Sequence, residues 1–166
     1  MKRTAYISLG ANQGELLESL NAALESLRSI EQSEVVAVSP FYKTAPVDAP
    51  GPDYLNAVAQ LSTALEPYAL LLHLLDIELM LGRKRRGLKK NAPRNVDLDL
   101  LLLDSLILQS TPLTLPHPRL HVRAFVLQPL LDLAPDVVIP GRGPARDFLA
   151  SVADQRIERL DTTAQP

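Results

Sequence analysis

Short apolar or alternating segments take turns along this chain with longer stretches of helical spacing, and each predicts an element. Ala5–Leu9 has the make-up of a short buried strand. Gly10, Asn12 and Gly14 are expected to break it, after which Leu16, Leu17, Leu20, Ala23, Leu24, Leu27 and Ile30 recur on one face of a helix. Val35–Tyr42 is β-branched and aromatic, as strands are. Tyr54–Thr63 sets Leu55, Ala57, Ala59 and Leu61 against Tyr54, Asn56, Val58 and Gln60, which predicts a strand with one buried and one polar face. Between them, Lys43–Asp53 carries three prolines and a glycine, and its length predicts a functional loop rather than a tight turn. Pro67 suits the first turn of a helix running to about Leu81, with Gly82 as its cap. Val96–Asp104 alternates briefly and then becomes a run of leucines, as expected for a strand entering the interior. Beyond it come Thr111–Leu115, the proline-rich LPHPRLHVR and a helix within Ala124–Ala134. The tail adds a strand at Val137–Ile139, a helix near Ala145–Ala153 and a weak strand at Ile157–Leu160.

Strands that come both paired and separated by helices indicate an α+β sandwich, one mostly antiparallel sheet with helices packed against it. A doubly wound parallel sheet is disfavoured, because no helix separates the strands within Val35–Thr63. The length of 166 residues predicts a single domain over 1–166. Hydrophobic residues make up 46% and charged ones 22%, which supplies a real core and excludes disorder as the overall state. A formal charge of −2 provides no global attraction to nucleic acid or anionic lipid, so any anion site must be local. The absence of cysteine excludes a disulfide framework, thiol catalysis and thiolate metal sites. No apolar run has the length of a signal sequence or a membrane span, so a cytoplasmic protein without membrane contact is expected.

The string RNVDLDLLLLD holds the sharpest chemical signal. Asp97 and Asp99 are two apart, and a strand puts such positions on one face, roughly 6.6 Å apart, while Val96, Leu98 and Leu100 face the core. At about 6 Å and an effective dielectric near 20, two carboxylates repel by about 2–3 kcal/mol, so a cation between them is expected. A hard divalent ion fits best, since magnesium takes one or two carboxylates plus substrate phosphates. The competing reading is a strand edge kept wet by acidic side chains.

The residues just before this strand decide between the two. Arg83, Lys84, Arg85, Arg86, Lys89, Lys90 and Arg94 put seven of the chain's 17 basic residues into a short span. A polyphosphate held between guanidinium groups and carboxylate-bound magnesium needs both signs close together. A triphosphate of about −4 beside two aspartates gives about −6; two magnesium ions reduce that to about −2, which two or three arginines offset. Nucleic-acid binding is the rival use of such a stretch. Aromatic residues are only 4% of the chain and none lies within the basic span, so no stacking platform accompanies the charge. The segment LGANQGE follows neither common phosphate-loop pattern and is expected to be a turn and helix start.

Six ordered blocks resemble the 6-hydroxymethyl-7,8-dihydropterin pyrophosphokinase family: AYISLGANQG, FYKTAPV, PDYLNA, IELMLGRKR, PRNVDLDLLL and LPHPRLHVRAFVLQPL. The resemblance covers nearly the whole chain. It implies a ferredoxin-like α/β sandwich and an ATP-dependent enzyme of folate biosynthesis that moves pyrophosphate from ATP to a pterin alcohol. It further implies that Asp97 and Asp99 bind two magnesium ions bridging the ATP phosphates. Arg83 and Arg94 would clamp the phosphates, with Arg85 at a cationic position of the same loop. His117 and Arg123 match ATP-contacting positions, and Glu78 a position near the adenosine. For hydroxymethyl-dihydropterin, Tyr54 and Phe125 match the two sandwiching rings and Asn56 the side chain reading the amide edge, with backbone groups of Thr44 and Val47 completing the pocket. A monomer is expected. A metal-dependent phosphohydrolase or nuclease, or a noncatalytic RNA-binding module, are the alternatives; neither explains Tyr54, Asn56 and Phe125 together. The chain departs from the family pattern in having no tryptophan before the PRNVDLD string and in reading Thr44-Ala45-Pro46 where a second proline is usual.

Overall fold

The computed structural model describes residues 1–11, 15–45, 53–86 and 96–160, with 83–86 described in backbone only. In chain order these form β1 (Arg3–Ala11), α1 (Leu16–Arg28), β2 (Ser33–Val38), β3 (Tyr42–Thr44), β4 (Tyr54–Thr63), α2 (Pro67–Arg86) and β5 (Asp97–Leu103). There follow β6 (Leu108–Gln109), β7 (Thr114–Leu115), α3 (Ala124–Leu133), β8 (Val138–Ile139), β9 (Gly143–Pro144) and β10 (Ile157–Arg159). The main sheet is antiparallel throughout, in the order β10-β3-β4-β1-β5, with β2 also lying along β4. If β2 and β3 are taken as one interrupted strand, the β-α-β-β-α-β unit has the spatial order fourth, first, third, second. This is the ferredoxin-like sandwich expected from the sequence, extended at one edge by β10.

Both faces of the sheet are covered. On one, Ala5, Ile7 and Leu9 of β1 and Leu55, Ala57, Ala59 and Leu61 of β4 pack with Leu20, Ala23, Leu24 and Leu27 of α1 and Leu70, Leu74 and Ile77 of α2. On the other, Val58, Leu101 and Leu102 pack with Val126, Leu127 and Leu130 of α3. The polar face expected for β4 is therefore only partly polar: Val58 is fully buried because α3 lies over it. The leucine run of β5 serves both cores. A bulge opposite Tyr6–Ile7 inserts Leu101 as the extra residue, so Leu98, Leu100 and Leu103 join the α1–α2 side and Leu101 and Leu102 the α3 side.

Four expectations are corrected. Gly10 does not end the first strand, which runs on to Ala11. Gly82 does not cap α2; the helix passes through it to Arg86, since the buried Gly82 is followed by strong helix formers. The segment Val35–Tyr42 is not one strand but two, split at Ser39-Pro40-Phe41, where proline offers no N–H. Ser39 bridges the break: its N–H donates to the Val58 carbonyl at 2.9 Å, and its Oγ accepts from the Val58 N–H at 2.9 Å. The helix expected near Ala145–Ala153 is two short 3-10 turns, Ala145–Phe148 and Ala150–Val152.

Candidate active site

Register alone assembles most of the site. Gly10 pairs with Asn56 on one side and Asp97 on the other, so Asn56, Gly10 and Asp97 form one row across three strands. Ser8 pairs with Val58 and Asp99 to form the next row, and Tyr54 pairs with Thr44 at the near end of β3. Directly paired residues share a face. Val58 packs under α3, so Asp97, Asp99, Ser8, Asn56 and Tyr54 all lie on the α3 side. The same-side placement expected for the two aspartates holds, with Leu98 between them buried on the opposite side. Asp97 is exposed and Asp99 half-buried, as suits groups that meet solutes.

Asn56 is 4% and Thr44 2% exposed, and the Asn56 amide donates from Nδ2 to Thr44 Oγ1 at 2.5 Å. That bond turns the amide nitrogen toward β3 and the oxygen toward β1. One amide N–H and the oxygen remain to read a planar ligand edge that alternates acceptor and donor. Phe125 sits in the first turn of α3, on the same side of the sheet as Tyr54, with the Arg123 guanidinium 5.4 Å from its ring centre.

The chain leaves β7 through His117, whose N–H donates to the Leu101 carbonyl of β5 at 2.9 Å. His117 Nδ1 accepts the Arg119 backbone N–H at 3.1 Å. Burial lowers the His117 pKa, Asp99 opposes the shift, and Arg123 and Arg119 add to it. Burial likewise lowers that of Arg123, again opposed by Asp99 and reinforced by Arg119. Asp99, His117, Arg119 and Arg123 thus feel one another's charge, forming a mixed cluster suited to an anion bound through a cation. Glu78 of α2 is 7% exposed and its carboxylate accepts the Leu98 N–H at 2.7 Å. It grips the aspartate strand at the residue between the pair.

Of the residues expected from the sequence, Asp97, Asp99, His117, Arg123, Tyr54, Asn56, Thr44 and Phe125 fall on the α3 side of the sheet or its rim. Glu78 falls behind β5. Arg83 and Arg85 lie on the last turn of α2, in backbone only. Arg94 and Val47 lie outside the described residues, as do the rest of 46–52 and 87–95. A cavity of about 470 Å3, lined by Leu16, Leu17, Lys43, Asp53, Tyr54, Leu55 and Leu160, touches this set only at Tyr54. Sequence reasoning missed Gly10, Ser8 and Arg119. Ser8 follows from the alternation within Ala5–Leu9 and Gly10 from continuing it past Leu9; no local pattern in LPHPRLHVR marks Arg119.

A family model described as 7,8-dihydro-6-hydroxymethylpterin-pyrophosphokinase (HPPK) matches residues 6–135. The chain belongs to this family. Among curated HPPK relatives, the 2-amino-4-hydroxy-6-hydroxymethyldihydropteridine pyrophosphokinase of Haemophilus influenzae is 39% identical over 159 residues, 95% of this chain and 98% of the relative. That of Pseudomonas aeruginosa is 40% identical over 161 residues, 96% and 98% of the two chains. The folic acid synthesis protein fol1 of Schizosaccharomyces pombe is 41% identical over 93% of this chain but only 21% of its own length. Among solved structures, a fused HPPK-DHPS in complex with substrates superposes with a TM-score of 0.72 at 11% identity, covering 90% of this chain. This chain spans 43% of that fused chain, and the likeness concerns the HPPK fold alone.

Proposed function

We propose that this HPPK chain works by holding magnesium-bound ATP at Asp97 and Asp99 and the pterin at Tyr54, Asn56 and Phe125, across the row that joins the two groups. The activity is pyrophosphoryl transfer: ATP and 6-hydroxymethyl-7,8-dihydropterin give AMP and the pterin pyrophosphate, in folate biosynthesis. The observation that carries the site reading is the single row Asn56, Gly10, Asp97, which puts an amide-reading side chain and a carboxylate on one face, on the two strands that flank β1.

The donor set fits magnesium. Two carboxylates on one strand face, without a third acidic or imidazole ligand gathered beside them among the described residues, suit an ion that completes its shell with phosphate oxygens and water. When bound, two such ions would neutralise the triphosphate and lower the pKa of the pterin hydroxyl. The chain's own residues bind and orient. The pterin oxygen attacks the β-phosphorus and loses its proton, the bond from that phosphorus to the α-phosphate oxygen breaks, and AMP leaves. Arg83, Arg85 and Arg94 supply positive charge to the phosphates, and His117 and Arg123 approach the nucleotide from the β7–α3 connection. Thr44 and Val47 offer backbone groups to the pterin, and Glu78 contributes near the adenosine by fixing β5. The chain is proposed to act as a monomer of one domain, and ATP as co-substrate supports a cytoplasmic setting.

Incubation with ATP and hydroxymethyl-dihydropterin should yield AMP and pterin pyrophosphate in equal amounts, and only with magnesium. Release of ADP or orthophosphate independent of the pterin would favour a phosphohydrolase instead.

A further inference from the structure

Gly10 occupies the centre of the row between the proposed pterin and magnesium residues, yet its backbone is ordinary extended strand rather than a conformation that favours glycine. Its lack of a side chain matters for space. A Cβ at Gly10 would stand 2.8 Å from Asn56 Oδ1, 3.9 Å from Asn56 Cγ and 4.0 Å from Tyr54 Cδ2. The first of these is well inside van der Waals contact. The Asn56 amide therefore lies across β1 in the gap that glycine leaves, steadied from the other side by Thr44.

We propose that Gly10 is a positioning residue for pterin recognition: its missing side chain lets Asn56 hold the orientation that reads the amide edge of the ring. This rests on the assignment of Asn56 and Tyr54 to the pterin. The cheapest relief for a methyl group at this position is rotation of the Asn56 amide, the far end of a short side chain. That relief costs the fold one buried hydrogen bond, the one to Thr44, and it costs the ligand more, because it re-aims both remaining polar atoms of the amide. A glycine kept only for packing between strands would show the opposite pattern.

The test is a cycle of Gly10→Ala, Asn56→Ala and the double variant, each assayed for the KM of both substrates and for thermal unfolding. Gly10→Ala should raise the KM for the pterin about tenfold or more, leave that for ATP within about twofold and lower the melting midpoint by only several degrees, about what one lost buried hydrogen bond costs. In the Asn56→Ala background the same substitution should add less than about twofold, since the two act through one amide. Thr44→Val, which removes the other restraint without adding bulk, should reproduce the pterin-specific loss even if Gly10→Ala folds poorly. An unchanged pterin KM in Gly10→Ala or Thr44→Val, an equal effect with and without Asn56, or parallel loss for both substrates with a lowered midpoint would each overturn the proposal. Failure of the unmodified chain to bind the pterin would overturn the underlying assignment, and this inference with it.

Discussion

Leu98 and Asp99 are neighbours in the chain and opposites in their surroundings. Leu98 is buried with Leu9, Leu100 and the residues of α1 and α2, while Asp99 looks to the α3 side among His117, Arg119 and Arg123. The same division runs through β4, where Leu55 and Ala57 belong to the core and Tyr54 and Asn56 to the site, and through β1, where Leu9 packs and Gly10 does not. A strand with a period of two can thus carry stability on one face and chemistry on the other without compromise between them. The α3 side is divided again along its length: near Val58 it is closed by α3, and one row further it carries Asn56, Gly10 and Asp97.

If this separation is real, changes one residue apart should act on different quantities. The largest effect belongs to Asp97→Ala or Asp99→Ala. Either should cut turnover by about a thousandfold or more, about 4 kcal/mol of transition-state stabilisation, while calorimetric melting shifts by no more than a few degrees. Substantial residual activity, or a large fall in the midpoint, would erase the distinction between the faces. Next comes Leu98→Ala, which should lose about 2–5 kcal/mol in urea unfolding while the folded fraction keeps its KM values. Glu78 sharpens the comparison because it touches the aspartate strand from behind. Glu78→Ala leaves the buried Leu98 N–H without its acceptor and should cost about 1–3 kcal/mol, whereas Glu78→Gln, which keeps an accepting oxygen, should cost less than half as much.

The smallest effect is one of pH. His121 stacks edge-on against Phe148 at 5.4 Å, and its Nδ1 finds no hydrogen-bond partner among the described residues. Burial, then the nearby Arg142, holds its pKa below the usual 6.5. The unfolded chain therefore takes up this proton more readily, so the stabilisation is complete above about 6.5 and is lost as pH falls through the window down to the native value. His117, also lowered, acts in the same direction. Thermal midpoints should decline between pH 7 and 5.5, and His121→Phe should flatten part of that slope. An unchanged slope would mean that His121 protonates as easily in the folded state as outside it.

Much of this was legible in the chain because it is local. The two-residue spacing of Asp97 and Asp99 and the alternation of Leu55, Ala57 and Ala59 settle which side chains share a face without any distant partner. What was not legible depends on contacts between distant segments. β10 closes the sheet edge by pairing Ile157–Arg159 with Tyr42–Thr44, and no local pattern announces such a partner. Val58 looked like part of a polar face because α3, which buries it, comes some seventy residues later. Tyr42 is held likewise: its hydroxyl donates to Asp132 of α3, and burial followed by that carboxylate raises its pKa. Glycine misled twice. Gly10 and Gly82 read locally as punctuation, whereas in both places the strand or helix continues. At Gly10 it makes room for Asn56, and at Gly82 it is buried within the helix.

The most direct test of the shared row is calorimetric. A nonhydrolysable ATP analogue is titrated into the chain with and without magnesium, hydroxymethyl-dihydropterin is then titrated into the resulting complex, and both steps are repeated with Asp97→Ala. Tight nucleotide binding only with magnesium, weakened in the variant and followed by pterin binding to the complex, is the expected result. Equal nucleotide affinity without the metal and in the variant, or no pterin binding to a nucleotide-loaded chain, would contradict it.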